Sequence, residues 1–482
     1  MIAPILMPTK SELCDYEPVT PSPRAGRSQV IDAREEFSRI RPLNRSALKQ
    51  ISFKETPSAT PSAHESVRQE TAAAAVPILR HGHTLSYAGI FTFTFLVYFR
   101  PYELFPSLAW LSRSALVVAV LTLIAYVPAQ LGLENRITAN LREVKLAVAL
   151  ALAGVLSIPL AVEPGRAFQS LIEFSKVIAV FIVMVNVVRT EKRLQRLLLL
   201  VLAVSCVLSA SAVSDYIHGN LSMRGQRIAG LIGGLFSNPN DLALHLVTMI
   251  PISVALLLGS RGGTRKIAFL GCSLLLTAGL VATFSRGGFI GFVCVVGILV
   301  WKLAKRNRAI FAVATLILLT LALTLAPGDY RQRLTTTGDD SALTRTDDLK
   351  RSIVVAARHP LFGVGMDNYV IYSNTAHATH NSYTQVAAEM GLIAFFIYLA
   401  FLVAPFKGLR KVEQTMRNAA RKPRAYYLAI GLQASLVGYM VVSFFASVAF
   451  VWYVYYLVAY AICLQRLNLV DPTLKPALVP NK

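Results

Sequence analysis

His380 opens the segment HNSYTQVAAEMG, which runs straight into an apolar stretch after the longest polar loop of the chain. An imidazole has an ordinary pKa near 6.5, so a histidine at such a rim can accept a proton from a hydroxyl at neutral pH. His380 and Gly391 are eleven residues apart, which at about 100° per residue returns to within about 20° of the same helix face. The spacing predicts an imidazole at the rim of a helix with bare backbone below it on one side. Arg286 lies in TFSRGGFIGF, between two apolar runs with almost no loop, and Gly287 and Gly288 permit a tight turn there. A planar guanidinium fork suits the oxygens of a diphosphate, although an arginine at an interface also snorkels with no chemical purpose.

A second candidate anion site lies in MRGQRIAGLIGGLFSNPNDLALHL. Ser237 or Asn238 can cap a helix whose first turn holds Pro239, Asn240 and Asp241, and the positive end of that helix would face the same region as Arg224 and Arg227. The same residues also make an ordinary, well-capped helix start. Glu389 follows His380 by nine residues, on the opposite face of the predicted helix, where a structural carboxylate with a partner is expected. The pairs Asp339–Asp340 and Asp347–Asp348 have metal-ligand chemistry, but two acids in a solvated loop are ordinarily just solvated, so no metal is expected. The Gly363-Val364-Gly365 run in HPLFGVGMDNY lacks the strand and helix context of a nucleotide site, and no cofactor is implied.

The elements that must carry these side chains are membrane helices. The 482 residues are 54% hydrophobic and only 15% charged, where soluble domains average about 25% charged. Mean hydropathy is +0.53. Apolar runs of spanning length predict about twelve helices, at 85–99, 108–127, 144–162, 171–188, 194–214, 241–258, 266–284, 287–301, 309–326, 383–404, 426–445 and 448–464. The fold class is therefore all-α and polytopic, embedded in a lipid bilayer.

The formal charge of +22 collects in short loops such as Arg189 to Arg196, Arg261 to Lys266, Lys302 to Arg308 and Lys407 to Arg424. By the positive-inside rule these loops and both termini face the cytoplasm, so the charge reports topology and excludes nucleic acid as a partner. The opposite side then holds 215–240, the turn at Ser285–Arg286 and the long loop 327–382. That loop balances six acidic and six basic residues between Asp329 and Asp367, and Ala342 to Ala357 reads as an amphipathic helix ended by Pro360. Residues 1–80 read as a disordered cytoplasmic tail, 81–466 as the transmembrane domain and 467–482 as a short cytoplasmic tail. Four of the five cysteines, Cys206, Cys272, Cys294 and Cys463, sit in apolar segments as small hydrophobes.

FSNPNDLA, TFSRGG, HPLFGVGMDNY and HNSYTQVAAEMGL, in this order, resemble the O-antigen ligase and polymerase superfamily of bacterial envelope glycosyltransferases. The similarity in motif order covers roughly 224–402, and the four motifs in register are more specific than any one alone. The resemblance implies a GT-C type enzyme of the cytoplasmic membrane with its active site facing the periplasm. Such an enzyme moves a glycan from an undecaprenyl-diphosphate carrier to a hydroxyl on a lipid or protein acceptor, without metal or nucleotide. It further implies that His380 acts on the acceptor and that Arg227 and Arg286 hold the diphosphate, with Arg224 the second choice to Arg227. Arg345 resembles another recurrent arginine, although Leu349 stands where an aromatic residue is often found. Asn240 and Asn381, inside the matching motifs, are further substrate-binding candidates.

Within the superfamily, ligases onto lipid, glycan polymerases and protein O-oligosaccharyltransferases share donor and site, and the order of motifs favours the ligase. A transporter or flippase is the alternative from another class; it would set its polar groups and broken helices near the midplane rather than at the outer rim.

Overall fold

The computed structural model describes residues 82–220, 228, 232, 236, 238–303, 340–373, 378–418 and 422–470, all within one compact unit. The tail 1–80, Arg224, Arg227, Ser237, Asp339 and the span expected at 309–326 lie outside the described residues. Every regular element among the described residues is helical. The longer ones are α1 (Thr84–Phe99), α2 (Ser114–Glu134), α3 (Arg142–Ser157), α4 (Pro164–Val187), α5 (Glu191–Ile217), α6 (Pro239–Gly259), α7 (Gly263–Ala282), α8 (Arg286–Leu303), α9 (Asp340–Arg358), α10 (Ser382–Met416), α11 (Arg424–Val442) and α12 (Trp452–Val470).

Nine helices among the described residues are long and apolar enough to cross a membrane. The 16-residue α1 is shorter than these. The described helix α12 is less apolar, because Tyr453, Tyr455, Tyr456 and Tyr460 lie along it, and all four are buried. A helix enclosed by protein has no need of a lipid-compatible surface, which is why composition alone understates it.

Local signals set the helix starts. Thr190 caps α5, its hydroxyl accepting from the Arg193 amide at 3.2 Å. Pro164 occupies the first turn of α4, so that helix begins seven residues before the span expected at 171–188. α6 lies at the centre: 78% of its most apolar stretch is buried, against 17% for 106–134. It packs on α7, α8 and α11, while α10 packs on α3, α11 and α12. Leu116, Val117, Val120, Leu121 and Ile124 of α2 stay exposed, a lateral aliphatic surface of the kind that lipid covers.

The helix expected over 383–404 is both longer and interrupted. α10 breaks at Gly391, whose φ of 87° and ψ of 172° are open only to glycine. The segment Pro360–Gly365 plugs the break. Val364 and Gly365 donate to the carbonyls of Ala388 and Glu389 at 2.9 Å each, and Leu392 donates to Pro360 at 2.7 Å. A Cβ on Gly391 would strike the Leu361 carbonyl, and one on Gly363 would strike the Glu389 backbone. The expectation that His380 and Gly391 share one helix face is therefore corrected. His380 precedes the helix with φ 52°, and the helical phase ends at Gly391.

At the far end of α4, Arg189 is buried and donates to Glu134 at 2.7 Å and to Gln130 at 3.0 Å; Gln130 also meets the His83 ring at 2.9 Å. Burial, and next the Arg189 charge, push the His83 imidazole below its ordinary pKa. This network ties α1, α2 and the α4–α5 turn together away from the end that carries His380.

Candidate active site

Three helix starts meet at the opposite end. Asn238 caps α6, its side chain accepting from the Asn240 amide at 2.9 Å, with Pro239 in the first turn as its sequence predicts. Asn240 is buried, and its carboxamide oxygen accepts from the Ser285 hydroxyl at 3.0 Å. That hydroxyl in turn accepts from the Gly288 amide at 3.2 Å, so a single side chain caps α8 and joins it to α6. Gly288 is required by proximity, since a Cβ there would sit 2.7 Å from that of Ala243. Asn240, a substrate-binding candidate in the sequence, is thus part of the frame beneath the Ser285–Arg286 turn.

Arg286 is the first residue of α8, at the positive end of that helix. Arg345 reaches the same region from α9. Burial, and then the Arg286 charge, hold the Arg345 guanidinium below its ordinary range, where it still stays protonated. The Arg286 charge is thus felt at Arg345, which places two cations at this end of the bundle. Asp348, one turn further along α9, is buried and accepts from Ser373 at 3.0 Å, while the Tyr369 hydroxyl donates to its carbonyl at 2.8 Å. These bonds dock α9 on the following turn. Asp347 is exposed, and among the described residues no group of three or more His, Cys, Asp or Glu is arranged to hold a metal.

His380 is half-buried between two buried residues, Thr379 and Asn381. Its left-handed backbone is one that a non-glycine residue adopts only when its neighbours enforce it. They do so on both sides. Asn381 caps α10, accepting from Tyr383 and Thr384 at 2.9 and 3.1 Å. Thr379 donates to the Asn381 carbonyl at 2.9 Å and meets the Ser447 hydroxyl at 2.9 Å. Ser382 donates to the Ala446 carbonyl at 2.7 Å and accepts from the Val448 amide at 2.9 Å. The turn after α11 therefore anchors the histidine. Gly287 packs against Phe445 in the same turn, so Arg286 and His380 neighbour one short stretch of chain from two helices.

Glu389 is buried, one turn along α10 from Gln385. Asp367 and Gln385 line the same cavity as Glu389, and Asp367 itself pairs with Arg166 at 2.9 Å. Arg166 thus links the first turn of α4 to the chain just after the plug of α10. The nearest sequence signal is the HPLFGVGMD run, whose glycines fit the break and whose aspartate pairs with Arg166.

The arrangement can hold an anionic oxygen group at Arg286 and Arg345 and present an imidazole from the neighbouring turn. It brings together Arg286, Arg345, Asn240, Asn381 and His380 at one end of the bundle. Arg224 and Arg227 lie outside the described residues. No curated protein matches the chain. The model of the family described as O-Antigen ligase matches residues 271–399, a stretch that includes Arg286, Arg345, His380, Asn381 and Glu389. The resemblance read from the motifs accordingly holds from TFSRGG through HNSYTQVAAEMGL, where the chain is similar to the O-antigen ligase family, while FSNPNDLA lies before the matched stretch.

Proposed function

We propose that the chain is a polytopic glycosyltransferase of the GT-C type that moves a glycan from an undecaprenyl-diphosphate carrier to an acceptor hydroxyl. In this reading about twelve helices cross the bacterial inner membrane, with the His380 end facing the periplasm. The observation that carries it is that the start of α8, which bears Arg286, and the start of α10, which follows His380, both dock on the one stretch Phe445–Val448.

In the reaction the bond between the anomeric carbon and the diphosphate oxygen breaks, and its electron pair stays on the diphosphate. Arg286 and Arg345, with Arg227 or Arg224 carried over from the resemblance, stabilise that charge in a poorly hydrated site. The acceptor oxygen attacks from the opposite face, so configuration inverts. Its proton passes to the His380 imidazole. Neither a metal nor a nucleotide is needed to balance the step.

Transfer by the purified protein from an undecaprenyl-diphosphate glycan, in the presence of chelator, tests donor and metal requirement together. Product is expected from the wild type, and none from His380→Ala or Arg286→Ala variants that insert and fold normally. Near-normal transfer by either variant would overturn these assignments. A polymerase or a protein O-oligosaccharyltransferase would use the same donor site and differ in acceptor alone. One observation bears on the transporter alternative: a helix broken at depth is common in transporters, where freed carbonyls bind ions. In α10 the freed carbonyls of Ala388 and Glu389 are already taken by Val364 and Gly365.

A further inference from the structure

The plug Pro360–Gly365 begins at membrane depth. Leu361 lies against the break at Gly391, and from Leu392 to Lys407, where the basic loop expected on the cytoplasmic side begins, α10 rises about 22 Å at 1.5 Å per residue. That is short of the roughly 30 Å hydrocarbon thickness of a bilayer, so Leu361 lies below the outer edge of the apolar layer at the His380 end. Leu361 is nevertheless 60% exposed, and Phe362 is exposed beside it. Leu392, whose amide donates to Pro360, is exposed too, with Ile393 and Phe396 after it on the membrane-crossing part of α10.

α9 leads into this segment. Val355 and Ala356 bury one side of it in a cluster with Ala387 and Ala388 of α10. Its other side exposes Ile353, Val354 and Ala357 together with Lys350, Arg351 and Arg358. At about 100° per residue, Ile353 and Ala357 form one edge of that face and Arg351 and Arg358 the opposite edge, with Val354 and Lys350 between them. None of the three cations has an ion pair among the described residues, and Asp347 is the one exposed acid from Thr346 to Phe362. An aliphatic edge beside a basic edge, continuous with a segment inside the apolar layer, suits a helix lying in the plane of a membrane interface. A water-soluble partner could cover Ile353 but would have to enter lipid to reach Leu361. Anionic headgroups complement the unpaired cations, whereas a zwitterionic headgroup brings an ammonium that they repel.

We infer that the C-terminal half of α9 and the start of the plug form an interfacial wedge in the leaflet on the His380 side, where Lys350, Arg351 and Arg358 gather anionic glycerophospholipid such as phosphatidylglycerol. Because the plug holds the break in α10, the lipid around the wedge also supports the stub that carries His380.

The test uses the full chain in phosphatidylcholine nanodiscs that contain matched shares of either brominated phosphatidylglycerol or brominated phosphatidylcholine. Ile353→Trp adds an indole to the exposed face, and its emission is read as the excess over the parent protein, which has three tryptophans. The quenching constant is expected to be at least about fivefold larger for the brominated phosphatidylglycerol, the factor that one basic residue near an anionic surface contributes. In a background of Lys350→Gln, Arg351→Gln and Arg358→Gln the two lipids are expected to quench alike. No excess quenching by either lipid would place the face outside the bilayer and overturn the inference. Equal quenching by both lipids in the parent background, or a preference that survives the triple variant, would overturn the lipid selection. Unlabelled lipid A that relieves quenching by brominated phosphatidylglycerol better than unlabelled phosphatidylglycerol does would assign the surface to a glycolipid and overturn it as well. Should Ile353→Trp fail to fold, Val354→Trp on the same face decides.

Discussion

Gly391→Ala is the most direct perturbation of the geometry that sets the height of His380. The native φ of 87° and ψ of 172° place residue 391 in a region that costs a side-chain-bearing residue roughly 1–3 kcal/mol. The added Cβ would also collide with backbone, the Leu361 carbonyl and the Phe362 amide, which no rotamer change relieves. Displacing Pro360–Gly365 gives up the bonds from Val364, Gly365 and Leu392, each worth about 1 kcal/mol when its partners stay buried. The combined loss is roughly 4–6 kcal/mol, a large part of the net stability of a folded protein. In detergent this is expected to lower the thermal midpoint by at least about 5 °C. Gly297→Ala on α8 is the control, since a Cβ there meets nothing within 4 Å and alanine suits a helix interior. Melting curves of the two variants followed by circular dichroism make the comparison. If Gly391→Ala melts with Gly297→Ala, the break in α10 is not the constraint described.

Arg286→Ala is expected to lower transfer by about a hundredfold or more while leaving the melting midpoint in place, as for other groups that stabilise developing charge; a fall confined to stability would contradict that role. Ser382→Ala removes one hydroxyl that serves both Ala446 and Val448, so it should cost about 1–3 kcal/mol and lower transfer by loosening the His380 turn. An unaltered midpoint together with unaltered rate would show that the turn holds without it. Asn381→Ala deletes the cap of α10 and should cost about 1–2 kcal/mol, with Asn381→Asp largely restoring it; equal loss in both would exclude capping as the cause. His83 is held neutral by burial, so its folded pKa lies below the unfolded value. The unfolded chain then binds the extra proton first, and stability falls as pH drops below about 6.5 toward the folded pKa. His83→Gln should flatten the dependence of the thermal midpoint on pH between 7 and 5, and parallel slopes in the two proteins would contradict this.

Most of the helices are legible in the sequence because a lipid-facing helix must be apolar for its whole length. The Asn238 cap, the Ser285–Arg286 turn and the loop helix α9 are legible for local reasons: capping residues, paired glycines and amphipathic spacing act within a turn or two of chain. The break at Gly391 is not. Glycine is common in membrane helices, and what distinguishes this one is the Leu361 carbonyl against it, a contact between segments thirty residues apart. The same holds for the Arg166–Asp367 pair, which joins residues two hundred positions apart. α12 shows the reverse case, a helix whose tyrosines make it look marginal although it is enclosed on all sides. Arg286 stands out in the sequence by residue type and its closeness to a helix start, whereas the influence of its charge on Arg345 emerges only once α9 packs against α10.

The stub of α10 from Ser382 to Met390 rises only about 13 Å, less than half the hydrocarbon thickness of a bilayer. With its lower end pinned by the plug and its upper end by Asn381, it behaves as a fixed spacer that sets both the depth and the bearing of the imidazole. One residue added to it would lift His380 by about 1.5 Å and swing it by about 100°. A change in the length of this spacer would displace the imidazole even with every side chain along it kept.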